Sequence, residues 1–168
     1  DQDLFGALKE NLSHHDSVLL VQAALTDRDG TISLKSGKND GVSNSIFTGE
    51  MVSEASLSTV ESKAMNGFLA DIKERYQRID VLKMDTEGAE WFLLDTPDSM
   101  LSDIGVIYME FHSADFFPRL CNKLNETHVI HEAKIRFPHR GEVAWIRKDL
   151  LAAEQKNYEI RPAAENQG

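Results

Sequence analysis

The sequence predicts an α/β fold, and three observations carry that prediction. Short apolar runs recur at Val18–Leu25, Val81–Met84 and Ile104–Phe111. Runs of that length suit strands buried on both faces of a parallel sheet. Between the runs, apolar residues recur at helical spacing, as in Met65, Phe68, Leu69, Ile72 and Tyr76. The chain then offers two strand-like stretches, His128–Arg136 and Glu142–Arg147, joined by Phe137-Pro-His-Arg-Gly141. Strand and helix in alternation, followed by a hairpin, describe a mostly parallel three-layer sheet with right-handed crossovers and a C-terminal antiparallel hairpin.

Taken in order, Asp3 is placed to cap a helix running to about Asn11, with Leu4, Phe5, Leu8 and Leu12 as its stripe. Ser13-His-His-Asp16 ends it as a solvated loop, because adjacent histidines point in different directions and make a poor metal pair. Val18–Leu25 reads as a strand, Thr26–Gly30 as a turn, and Thr31–Leu34 as a half-exposed strand. Ser36–Ser45 has loop composition, and Glu50–Ser62 is polar and weakly patterned, expected as a connection. Asp95-Thr-Pro-Asp98 stops the helix after the central motif. Ser113–Asn125 reads as a helix with Phe117, Leu120, Cys121 and Leu124 inward, which makes Cys121 a small core residue. The final ~20 residues are polar and expected to fray in part.

The chemistry concentrates at Ile79-Asp-Val-Leu-Lys-Met-Asp-Thr-Glu-Gly-Ala-Glu90. A buried strand hands over to a helix there. Asp85 or Thr86 is placed to cap that helix, with Glu87 and Glu90 in its first turn, where the dipole favours acids. Gly88 permits close approach to the helix start. In open α/β sheets the carboxyl ends of the strands are where ligands bind. Glu110 and His112 close the next apolar run, so their side chains are expected beside Asp85 in one crevice.

Lys83, Asp85, Glu87, Gly88, Ala89 and Glu90 resemble the K-x-D-x-E-G-A-E signature of the FkbM-type S-adenosylmethionine-dependent methyltransferases. The upstream pattern, from Leu4-Phe5 through Ala24-Leu-Thr-Asp-Arg-Asp-Gly30, matches that family in the same order, so the resemblance covers roughly residues 1–112. It implies a Rossmann-like class I methyltransferase sheet and O-methyl transfer to a hydroxyl of a sugar, lipid or natural product. It implies S-adenosylmethionine as cofactor, with Ala24, Leu25 and Asp27 near the adenine and Asp85, Glu87 and Gly88 also on the cofactor. The family also carries a glycine-rich loop after its first strand and a ribose-binding acid after its second. No G-x-G-x-x-G lies between a strand and a helix in this sequence. These residues therefore read as the C-terminal two-thirds of a methyltransferase-like domain over 1–150, with a polar tail over 151–168. A shortened member with a rebuilt sheet is the other reading. On either, the chain alone is expected to bind the cofactor weakly or not at all and to self-associate through unpaired strand edges.

Methyl transfer to a hydroxyl needs a group to take its proton. Asp85 is the first candidate, His112 the alternative, and Glu110 stands beside them. A metal-assisted variant, with Asp85, Glu110 and His112 as ligands, stays open, and no metal is assigned. A non-catalytic binding module that has lost the cofactor loop is the competing function.

Composition bounds the rest. The chain has 168 residues, 41% hydrophobic and 27% charged, enough for a single core. A formal net charge of −10 argues against nucleic-acid partners held by phosphate neutralisation. No apolar run approaches the ~20 residues of a membrane span, and Asp1-Gln-Asp3 is acidic where a signal peptide is basic. Cys121, the single cysteine, excludes an internal disulfide and fits a reducing, cytoplasmic compartment. Asn11-Leu-Ser13 and Asn125-Glu-Thr127 are sequons of the kind that arise by chance.

Overall fold

The fold is described from a computed structural model over residues 2–36 and 56–157. The elements run α1 (Gln2–Asn11), β1 (Ala24–Thr26), β2 (Gly30–Ser36), β3 (Ser56–Ala64), α2 (Met65–Tyr76) and β4 (Ile79–Met84). A 3-10 helix (Ala89–Asp95) follows, then α3 (Asp98–Leu101), β5 (Ile104–Phe111), α4 (Phe116–Leu124), β6 (His128–Phe137), β7 (Arg140–Arg147) and α5 (Lys148–Asn157). The described strands form two mixed sheets, ordered β1-β3-β2 and β4-β5-β7-β6.

The second sheet positions the chemistry. β4 and β5 are adjacent and parallel, with Met84 opposite Met109. β7 inserts antiparallel between β5 and β6, with Phe111 opposite Gly141. The expected pair 79–84 and 104–111 and the edge hairpin over 128–147 are therefore both present. The expected dominance of parallel pairing is not: β1–β3 and β4–β5 are parallel, whereas β2–β3, β5–β7 and β6–β7 are antiparallel.

Burial follows each strand's place. β5 has neighbours on both sides, and Ile104, Ile107, Met109 and Phe111 are fully buried. That burial is the physical content of its apolar run, broken only at Glu110. β7 alternates, burying Gly141, Val143 and Trp145. Gly141 is required here: a Cβ would meet the Lys134 carbonyl oxygen at 2.7 Å and the Phe111 ring at 2.8 Å. β4 is an edge among the described strands, so Met84 is buried but Val81, expected to be buried, is 60% exposed.

On the faces, α2 contributes Met65 and Leu69 to the core, and α4 contributes Phe116, Leu120 and Leu124. Phe117 stacks on Phe111 at 4.7 Å, and Cys121 is partly buried against the same cluster, as a core residue should be. α2 ends at Gln77 in a left-handed conformation (φ 66°), its N–H donating to the Lys73 carbonyl at 2.6 Å.

Several expectations need correction. Of the run Val18–Leu25 only Ala24 and Leu25 join a strand, and Val18, Leu19 and Val21 are exposed. β1 has one short pairing, to β3, and in the remainder of the run Leu20 and Ala23 are only partly buried. The stretch read as a connection before α2 contains β3, a nine-residue strand. Its polar, weakly alternating sequence suits a ribbon paired to β2 and β1 rather than a buried strand. α1 buries none of its residues. α5 occupies the start of the stretch expected to fray. The loop read over 36–45 lies outside the described residues beyond Ser36, as does the tail from 158. No helix among the described residues is long and apolar enough to cross a membrane.

Candidate functional site

The turn after β4 is built differently from the capped α-helix that its sequence suggests. Neither Asp85 nor Thr86 caps a helix, and the element that follows is a 3-10 helix with Gly88 at its N-cap position. Glu87 adopts φ 48° and Gly88 φ 111°. Two consecutive left-handed residues turn the chain sharply, and a non-glycine residue there carries a conformational cost that clusters at functional sites. The turn is held from inside. Glu90, only 1% exposed, accepts at Oε1 from the Thr86 N–H (3.2 Å), the Thr86 hydroxyl (3.0 Å) and the Gly88 N–H (3.2 Å).

Glu90 also fixes the imidazole. His112 Nδ1 lies 3.2 Å from the same Oε1. A carboxylate only accepts, so Nδ1 carries the hydrogen of that bond. Nε2 is then the outward atom. It is buried without a hydrogen-bond partner, and it faces Glu87 Oε2 at 3.5 Å and Glu110 Oε1 at 3.8 Å. The arrangement follows from β4 and β5 being parallel neighbours in register: the turn after Met84 and the residues after Met109 emerge at the same end of the sheet.

Arg140 closes the cluster from the first position of β7. Its Nε donates to Glu110 Oε1 at 2.7 Å, and Nη2 lies 3.9 Å from Glu87 Oε1. This bond holds the Glu110 carboxyl below its ordinary range and raises the guanidinium. Glu110 is thus a paired acceptor and a weak proton acceptor. A cleft of about 180 Å³ opens beside it, lined by Lys83, Met84, Asp85, Tyr108, Glu110 and Glu142. The Tyr108 hydroxyl donates to Glu142 at 2.9 Å, which raises the phenol above its ordinary range. Asp85 is exposed on this cleft.

Asp85, Glu87, Glu110 and His112 therefore converge, with Gly88 in the turn between them. Ala24, Leu25 and Asp27 do not join them through any described side-chain contact. β1 packs against the 3-10 helix and Leu25 against the core, while Asp27 is exposed with Arg28 beside it at 4.0 Å. Sequence reading missed three participants. Glu90 was visible, but as a first-turn acid rather than as the buried hub. Arg140 and Glu142 lay in a recognised hairpin whose register against β5 no local signal gives. A second cleft, about 370 Å³, is lined by Trp91, Phe92, Leu94, Asp95 and Arg119 and shares no residue with the cluster. Arg119 stacks over Trp91 there.

The acid–imidazole cluster lies where two parallel strands end, the end of an α/β sheet at which ligands commonly bind. A family model, described as the methyltransferase FkbM domain, matches residues 3–136, and the chain belongs to that family of methyltransferases. The match takes in the whole turn from Asp85 to Glu90 and ends before Arg140. No match was found among curated proteins or among solved structures.

Proposed function

We propose that this chain serves S-adenosylmethionine-dependent methyl transfer to the hydroxyl of a sugar, lipid or natural product, at the cluster formed by Asp85, Glu87, Glu110 and His112. The convergence of these groups at the end of β4 and β5, within a family of methyltransferases, carries the reading. The donor set suits the cofactor: Asp85 and Glu87 present negative charge to a cationic sulfonium. When bound, S-adenosylmethionine supplies an electrophilic methyl group. Glu87 and the Gly88 backbone would face its charged portion, with Ala24, Leu25 and Asp27 toward its adenine.

The chain's own residues do the rest. Asp85 is exposed on the cleft, so an acceptor hydroxyl reaches its carboxylate without displacing packed atoms. It takes the proton as the oxygen attacks. Glu110 is neutralised by Arg140 and holds position rather than protons. Glu90 fixes the turn and the imidazole face, so both strand ends keep one geometry while the acceptor is seated.

The test is transfer of label from methyl-labelled S-adenosylmethionine to a panel of sugar, lipid and natural-product hydroxyls. With an acceptor in hand, Asp85→Asn lowers turnover by roughly 10²-fold or more if Asp85 takes the proton. A change in KM alone reassigns it to positioning. Cofactor binding with no transfer to any hydroxyl would favour a binding module instead.

A further inference from the structure

The imidazole of His112 keeps one buried nitrogen without a hydrogen-bond partner. Its Nδ1 donates to Glu90, and its buried Nε2 faces carboxylate oxygens of Glu87 and Glu110 at 3.5 and 3.8 Å with no hydrogen-bond partner. With Nδ1–H given to Glu90, Nε2 offers a lone pair to the space before the two carboxylates, where either a proton or a metal cation pairs with both. A histidine whose far nitrogen is held by a carboxylate, and whose near nitrogen points at further acids, is the arrangement that orients an imidazole for metal ligation.

The ligand atoms of Asp85, Glu87 and His112 all lie within 4.8 Å of one another. Atoms bound about 2.1 Å from one ion lie about 3.4 Å apart at tetrahedral angles and about 4.2 Å apart across an octahedron. The 3.5 Å separation of His112 Nε2 and Glu87 Oε2 is already of that size. Two carboxylates and a neutral imidazole balance a divalent charge. Glu110 falls out of the set because Arg140 already occupies its Oε1 at 2.7 Å. Asp85 is exposed, which leaves an entry path and open coordination positions on the cleft side.

We propose that Asp85, Glu87 and His112 form a binding site for one divalent cation of borderline softness, Mn²⁺ or Zn²⁺. The imidazole nitrogen sets the preference, since Mg²⁺ and Ca²⁺ favour all-oxygen sites. The cation's use in transfer rests on the function proposed above: an ion facing the cleft lowers the pKa of an acceptor hydroxyl, and the Asp85 oxygen not bound to it receives the proton. The binding itself does not rest on that function.

The experiment is titration of the chelator-stripped full chain with MnCl₂, read by electron paramagnetic resonance with no methyl donor or acceptor present. One equivalent binds with a dissociation constant in the range of about 1–100 μM, shows nitrogen coupling from one imidazole, and is displaced by one equivalent of Zn²⁺. Asp85→Asn and His112→Gln each weaken binding at least about 10-fold, and His112→Gln abolishes the nitrogen coupling. Should His112→Gln fail to fold by circular dichroism, the coupling in the parent chain decides. No saturable binding below about 1 mM, bound Mn²⁺ without nitrogen coupling, or unchanged affinity in Asp85→Asn overturns the proposal. Because no transfer is assayed, an inactive methyltransferase that binds Mn²⁺, and an active one that does not, are separate results.

Discussion

Replacing Glu90 by alanine tests whether one buried carboxylate organises the whole junction. Its Oε1 accepts from two backbone N–H groups and the Thr86 hydroxyl, and it orients His112. Removing one member of a buried charged set costs about 3–5 kcal/mol, because the partners are left desolvated and unpaired. The exposed side of the turn lets water recover part of that, so about 3 kcal/mol is expected for Glu90→Ala. Glu90→Gln keeps an acceptor oxygen and should cost about 1–2 kcal/mol. For a domain of this size, each kcal/mol moves Tm by about 2–4 °C. Urea unfolding followed by tryptophan fluorescence is a suitable assay, since Trp91 lies in the same 3-10 helix and Trp145 in the core. A cost below about 1 kcal/mol for Glu90→Ala would refute the idea that Glu90 holds the turn.

Two further outcomes follow from packing and protonation. Gly141→Ala should destabilise by at least about 1–3 kcal/mol in the same assay, because the new Cβ meets a backbone carbonyl and the Phe111 ring below 3 Å; a neutral result would mean that β6 and β7 separate easily. His128 is buried, its Nε2–H donating to the Ile104 carbonyl at 2.9 Å and its Nδ1 accepting from the Thr127 hydroxyl at 2.8 Å, and burial lowers its pKa below 6.5. The unfolded chain therefore binds the proton first as pH falls, so this contribution to stability is full above about pH 6.5 and is lost progressively below it. Unfolding free energies measured between pH 7.5 and 5 should fall more steeply in the parent chain than in His128→Gln, and equal slopes would contradict this.

What could be read from the sequence, and what could not, divides along physical lines. The β4 and β5 strands and the acids at their ends were legible because a strand covered on its faces carries a dense apolar run, and Ile104–Phe111 is broken only by Glu110. The same signal misled at Val18–Leu25, where Val18, Leu19 and Val21 are exposed and only Ala24 and Leu25 join a strand. β3 was invisible because a paired ribbon is stabilised by its partners' hydrogen bonds and needs no apolar pattern. The turn at Asp85–Glu90 was recognised as a site but misread as a capped α-helix. Its left-handed residues, Glu87 and Gly88, accompany local bonds from Thr86 and Gly88 to Glu90, whose contact with His112 spans 22 positions. Arg140 was hidden for a related reason: which β5 residue it meets depends on the register of β7, and Phe111 opposite Gly141 is a long-range fact.

The most direct measurement of the central claim is amide-resolved nuclear magnetic resonance of the chain titrated with S-adenosylmethionine. The account predicts weak, saturable shifts, in the range of about 1 mM, at Asp85–Gly88 and Glu110–His112, and smaller ones at Ala24–Asp27. S-adenosylhomocysteine should compete for the same resonances. Saturable shifts confined to residues remote from the β4 and β5 ends would contradict the assignment of this cluster to the methyl donor.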